Sequence, residues 1–252
     1  MKFKYWILII IWSLVIGPWS FCLAARPLAT DDYGTVDPGK YELEVGHASI
    51  LNSIDPDDDT PVENTAYSGG ISFKGGIIPG FDLGVEFPFS FSSPLGMNDS
   101  IIHAKYRIVE LAEDEGITAR ADVKIANCNE DEGYGTDDTD YGLFLIYSKK
   151  IGDLNTHYNL GYTWVGITKG EKEGEEDNVT TASAALEYPL FGEMGDAVAE
   201  MVMTNAPYSN TGFAQIGARY NIGIARFDAG YSFGLNKYSI KNCVTVGMTF
   251  EF

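Results

Sequence analysis

The sequence predicts an all-β protein, a closed antiparallel transmembrane β-barrel of about 12 strands around a polar interior. Three observations carry that prediction. Apolar residues recur at every second position in segment after segment, opposite charged residues and glycines. Beyond Ala25 no apolar run approaches the ~20 residues that a spanning helix needs. The connections between segments are alternately short and long, and the long ones carry the acid.

Lys2 and Lys4 precede an apolar run from Tyr5 to Val15, then Gly17-Pro18 and small residues ending at Ala24-Ala25. That is the layout of a secretory signal peptide over residues 1–25, with cleavage expected after Ala24 or Ala25. The run is too short for a retained helical anchor. Cys22 follows Trp19-Ser20-Phe21, where a lipoprotein signal wants a leucine and two small residues. Without Lys2 and Lys4 the chain keeps 15 Lys+Arg against 36 Asp+Glu, a net charge of −21, which argues against a nucleic-acid partner and against binding an anionic bilayer surface. Residues 26–39 are expected as a periplasmic N-terminal segment, with a fold-back plug as the alternative, in which Arg26 and Asp31-Asp32 would pair with lumen charges.

Residues 40–252 then form the barrel. Its strands are expected at Lys40–Leu51, Thr65–Lys74, Phe81–Phe91, Ser100–Glu110, Gly116–Asn127, Tyr141–Lys150, Leu154–Lys169, Val179–Tyr188, Asp196–Asn205, Thr211–Ile222, Ala225–Leu235 and Cys243–Phe252. Most have the ~9 to 11 residues with which a tilted strand crosses a bilayer. Phe81 to Phe91 is the clearest, with Phe81, Leu83, Val85, Phe87, Phe89 and Phe91 alternating with Asp82, Gly84, Glu86, Pro88 and Ser90. Ala225 to Leu235 repeats the pattern with Arg226, Asp228 and three small residues on its polar face. An even strand count returns the C-terminus to the periplasmic side. The last strand carries Val244, Val246, Met248, Phe250 and terminal Phe252 on one face, resembling the signal read by the barrel-assembly machinery.

Alternation assigns Asp82, Glu86, His103, Lys105, Arg107, Arg120, Asp122, Lys124, His157, Glu200, Arg219, Arg226 and Asp228 to the interior. A lipid-facing Arg or Lys at mid-depth would cost ~2 to 4 kcal/mol, so energy and pattern agree. Such a mixed set either closes the barrel as a salt-bridge ladder or lines a narrow wet passage. Three loops concentrate acid, around Asp55, Asp57, Asp58 and Asp59, around Glu130 to Asp140, and around Glu171 to Asp177. Oxygen ligands this dense suit Ca²⁺, although a solvated, self-repelling loop is the plainer explanation. Cys128 and Cys243 are a candidate disulfide, with two free thiols the favoured alternative, since their strands lie far apart around the wall. His47, with Ser49 two residues on, is a candidate outward-facing pair for a lipid hydrolase. No catalytic residues and no cofactor are expected. The expected partners are outer-membrane lipids, the barrel-assembly machinery and a small-molecule solute.

The run Arg26-Pro27-Leu28-Ala29-Thr30-Asp31-Asp32, followed by Gly34-Thr35-Val36 and a strand from Gly39-Lys40-Tyr41, resembles the start of the outer-membrane family labelled for a MetA-pathway of phenol degradation. Gly80-Phe81-Asp82-Leu83-Gly84-Val85 and the segment from Asp99 through Lys105-Tyr106-Arg107 are also similar to it. The resemblance implies a transporter-like barrel of the bacterial outer membrane, near degradation routes for hydrophobic or aromatic compounds. The expected function is therefore a channel for small solutes, apolar or aromatic ones included. A closed structural or adhesive barrel and a lipid hydrolase stand behind it.

Overall fold

The structure is a computed structural model that describes residues 26–54, 61–62, 66–92, 95–128, 138–166, 178–190, 192, 194–205 and 210–252. The acidic residues Asp55, Asp57, Asp58 and Asp59 lie outside the described residues, as do 129–137 and 167–177. Twelve wall strands run in chain order: β1 Tyr41–Ile54, β2 Ala66–Ile78, β3 Phe81–Ser90, β4 Ser100–Ala112, β5 Glu115–Ile125, β6 Asp140–Ile151, β7 Leu154–Trp164, β8 Val179–Pro189, β9 Gly195–Asn205, β10 Asn210–Ile222, β11 Ala225–Gly234 and β12 Asn242–Glu251. Two further strands of two residues each, Pro61–Val62 and Gly96–Met97, pair with the ends of β1 and β3.

Every wall strand is antiparallel to the next, and β12 returns to β1, from Glu42 opposite Glu251 to Asn52 opposite Asn242. Reciprocal hydrogen bonds between Tyr41 and Phe252, 2.7 and 3.0 Å long, fasten that seam at its end. Closure leaves no sheet edge, so the wall's backbone donors and acceptors are satisfied without water, as hydrocarbon surroundings demand. At one rim, four of the five hairpins are two-residue turns: Pro79-Gly80, Glu113-Asp114, Gly152-Asp153 and Gly223-Ile224. Positive φ angles of 77° at Gly80 and 64° at Gly152 are required to turn so tightly, and Asp114 tolerates 60° there. The opposite rim carries the longer connections. Short turns face the periplasm in barrels of this kind, which places both ends of the wall there.

Side-chain alternation sorts the residues radially. Leu83, Leu143, Leu145, Leu160, Ile216 and Val246 are all more than 40% exposed on the outer surface, whereas Arg219 and Asp82 are at most 2% exposed inside. A soluble protein hides such apolar residues, and a band this extensive belongs against lipid. The buried apolar cluster among the described residues is correspondingly small, just Leu28, Ala185 and Val198.

Residues 26–37 follow the fold-back alternative and lie inside the barrel, not beneath it, with Arg26, Asp31 and Asp32 against wall charges. Lys40 N–H donates to Asp37 C=O at 3.0 Å and Gly39 N–H to Gly76 C=O at 3.0 Å, a turn at the short-turn rim that sends the preceding chain up into the lumen. The physical reason is polar satisfaction. The wall projects charges and hydroxyls inward, and the segment supplies the backbone and side-chain groups that pair with them.

Candidate functional site

The site is the lumen and the segment within it. Starting at the rim, Val36 N–H donates to Asp82 of β3 at 2.9 Å. Arg107 of β4 donates to the Thr35 hydroxyl at 3.0 Å. Tyr33 is gripped from β5 and β6: its C=O accepts from the Thr118 hydroxyl at 2.6 Å, and its N–H donates to Ser148 Oγ at 2.9 Å. Ser148 Oγ also shares a hydrogen bond with His157 Nδ1 at 2.8 Å. His157 Nε2 lies 3.6 Å from Glu187, which also receives Arg219 Nη1 at 2.6 Å.

Asp31 stands at mid-height. Its carboxylate accepts from Lys105 Nζ at 2.8 Å and Arg120 Nη1 at 3.0 Å. Burial alone would raise its pKa, but Lys105 and then Arg120 outweigh burial and hold the carboxyl well below the ordinary range. Asn159 of β7, with its amide turned to match the backbone, accepts from Asp31 N–H at 2.7 Å and donates to Asp31 C=O at 2.9 Å.

One wall carboxylate, Glu200 of β9, holds the next turn of chain. It accepts from Ala29 N–H at 2.9 Å, Thr30 N–H at 2.9 Å and the Thr30 hydroxyl at 2.8 Å. Farther on, Gln215 donates to Pro27 C=O at 2.7 Å and Arg219 to Arg26 C=O. The Arg26 guanidinium lies 3.6 Å from Asp228 and rests on the β1–β12 seam. Glycines make the space. A Cβ on Gly46 would overlap that guanidinium, one on Gly247 would stand 2.6 Å from Arg26 Nε, one on Gly116 would overlap the Tyr33 ring, and one on Gly76 would overlap the Asp37 carbonyl. These inward glycines mark where the segment presses on the wall.

The other residues expected inside have these neighbours. Asp122 takes Arg120 at 3.0 Å, Lys124 reaches Asp140 at 2.7 Å near the long-loop rim, and Arg226 is 3.9 Å from Glu251 near the other. His103 packs over Gly84. Glu86 lines a cavity of about 840 Å³ alongside the segment, to which residues of both wall and segment contribute. The sequence reading left out Glu42, Glu44 and Lys74, an inward trio in which Lys74 Nζ lies 2.5 Å from Glu42 and 3.1 Å from Glu44. It also left out Glu187. Parity marks each of them, since Leu43, Phe73 and Leu186 point the other way.

Cys128 and Cys243 are free thiols, so the candidate disulfide is not formed. Cys243 is buried on β12 while Cys128 follows β5, with six strands between them in one direction around the wall and four in the other. His47 Nε2 lies 3.1 Å from Ser49 Oγ, and the imidazole stacks on Tyr67 at 6.0 Å between centroids. Among the described residues no carboxylate is hydrogen-bonded to that imidazole, so no third group orients it as a base. No group of metal-ligating side chains occurs among the described residues.

A closed wall, an apolar exterior and a charged interior define an outer-membrane β-barrel, and the chain is one. No family model matches the sequence, and no curated protein matches it. Solved structures do match the fold. The COG4313 outer-membrane channel from Pseudomonas putida F1 is similar over 89% of this chain and 100% of its own, with a TM-score of 0.72 at 13% identity. The NanC porin is similar over 83% of this chain and 98% of its own, with a TM-score of 0.61 at 14% identity. The KdgM porin gives 84% and 99%, with a TM-score of 0.60 at 10% identity. At such identities the likeness is one of fold.

Proposed function

We propose that this barrel is a narrow channel for small solutes and that residues 26–37 form a plug which must shift for solute to pass. The observation that carries this reading is the division of the lumen. Wall and segment together line a cavity of about 840 Å³, large enough for a small organic molecule, and the hydrogen-bonded segment from Arg26 to Val36 fills the lumen beside it. Twelve strands leave a lumen wider than the eight-stranded barrels that side chains fill and narrower than a 16-stranded porin, which limits the cargo to small molecules. Solutes with an apolar or aromatic body are the class toward which the Arg26 to Asp32 resemblance points, and Phe213, Tyr238 and Ile240 give the cavity apolar surface for them. Outer-membrane lipids against the wall and the assembly machinery at Phe250 and Phe252 complete the set of partners.

A closed structural barrel is the second reading. It draws on Lys105, Arg120, Arg219 and Glu200, all of which the segment occupies. Conductance of the refolded chain in a planar bilayer, with and without residues 26–37, separates the two. The channel reading expects discrete steps that grow when the segment is deleted. A bilayer that stays tight with both forms, each migrating as a folded barrel, sinks it in favour of the structural barrel.

A further inference from the structure

The charges around the cavity are unequal. Its wall contributes three cations, Lys74, Lys105 and Arg120, against six carboxylates, Glu42, Glu44, Asp82, Glu86, Asp122 and Glu200. Each cation is already neutralised: Lys74 by Glu42 and Glu44, Arg120 by Asp122 and Asp31, Lys105 by Asp31. Moving the segment away does not reverse the balance. It frees Lys105 and one side of Arg120, but it equally frees Glu200 and Asp82, which the backbone N–H groups of Ala29, Thr30 and Val36 now hold. The wall's surplus of carboxylates is therefore the same with the plug docked or displaced.

Glu86 differs from the others in this set. Its carboxylate has no hydrogen bond or ion pair from the described residues, and it feels Glu44 and Asp122 as like charges as well as Arg120 and Lys74 as opposite ones. It lines the cavity, and Gly70 beside it carries no side chain to screen it, with Glu86 Oε1 3.6 Å from where a Cβ would stand. A carboxylate facing a confined aqueous space attracts counter-ions and repels anions, the principle by which acidic rings make cation channels.

We infer that the passage is cation-selective, with Glu86 the residue that sets the selectivity, so that its solutes are cationic or neutral and anionic aromatic acids are excluded. This rests on the channel reading and narrows it. A molecule joining an ammonium group to an apolar or aromatic body matches both surfaces, the charge at Glu86 and the body against Phe213 and Tyr238.

The test is the reversal potential of the refolded chain under a KCl gradient, for the wild type, Glu86→Gln and the form lacking residues 26–37. The wild type is expected to favour K⁺ over Cl⁻ by about tenfold, the lower end of the enrichment that a charged cleft produces, with Glu86→Gln losing most of it. The 26–37 deletion should conduct more and keep the same preference. Benzyltrimethylammonium should reduce the K⁺ current and benzoate should not. Conductance with anion preference, or a ratio unchanged in Glu86→Gln, overturns the selectivity and leaves the channel standing. Should Glu86→Gln fail to insert, the sign of the wild-type preference still decides the matter. Silence from both the wild type and the deletion form overturns the channel reading and this inference together.

Discussion

Replacing Glu200 by alanine should release the N-terminal segment without harming the wall. The carboxylate accepts from two backbone N–H groups, Ala29 and Thr30, and from the Thr30 hydroxyl, at 2.8 to 3.0 Å. A hydrogen bond to a charged group contributes roughly 1.5–3 kcal/mol. Ala29 borders the cavity, where water replaces part of what is lost, so the low end of that range for the two N–H groups is the sound choice. That gives about 3 kcal/mol of weakened docking, or about a hundredfold in the ratio of docked to released segment. Amide hydrogen exchange of the peptide spanning residues 26–40 reads this directly. The exchange of Ala29 and Thr30 should accelerate by about a hundredfold in Glu200→Ala, with the wall strands unchanged. Glu110→Ala, which removes an exposed partner of Arg107 at the rim, is the control and should leave both as they are. An acceleration below about threefold, less than 1 kcal/mol, would refute the assignment of Glu200 as the anchor. Acceleration without any change in conductance would show that the segment moves but is not the barrier.

Gly46→Ala places a methyl group where the Arg26 guanidinium lies, so it should expel Arg26 and speed amide hydrogen exchange in the peptide spanning residues 26–40 while the barrel keeps its heat-modifiable migration. Retained protection of Arg26 would contradict the packing described. Lys105→Ala together with Arg120→Ala strips Asp31 of its ion pairs and leaves a carboxylate in the lumen without compensation, so exchange in the segment should rise by at least as much as in Glu200→Ala. Thiol titration in denaturant without reductant should find two thiols per chain after removal of residues 1–25, from Cys128 and Cys243, and a result of zero would mean a bridge forms. Ester and phospholipid hydrolysis by the wild type should equal that of Ser49→Ala at background, and an activity lost in Ser49→Ala would revive the hydrolase reading.

The wall was legible in the sequence because one physical rule governs every strand. Lipid on one side and water on the other force period two, so Phe81 to Ser90 and Ala225 to Gly234 emerge within a residue of where alternation puts them. The same rule reaches Glu42, Glu44 and Lys74, which a stricter use of parity would have included beside Asp82. Residues 26–37 obey no period, because each side chain meets a different strand: Leu28 packs with Ala185 and Val198, Asp31 pairs with Lys105, and Arg26 sits over Gly46. Their contacts span up to 220 residues of separation, so no local pattern announces them. What the sequence did offer was a dense polar run beginning at Arg26 and glycines on the inner face of several strands. Each fits the other once the lumen is known to be occupied. The distance between His47 and Ser49 was beyond reach for a different reason, since two residues on one face of a strand come within a hydrogen bond only when their rotamers allow it.

The segment precedes β1 in the chain, yet Glu200, Gln215, Arg219 and Asp228, which hold its first residues, belong to β9, β10 and β11. During biogenesis Asp31 to Val36 can find partners on β3 to β6, but Arg26 to Thr30 have none until β9 to β11 have been laid down. Seating of Arg26 to Thr30 is thus expected as a late step of maturation, checked by whether their amides gain protection after the wall strands do. Lesions in the segment should accordingly leave insertion yield untouched and alter only the finished particle.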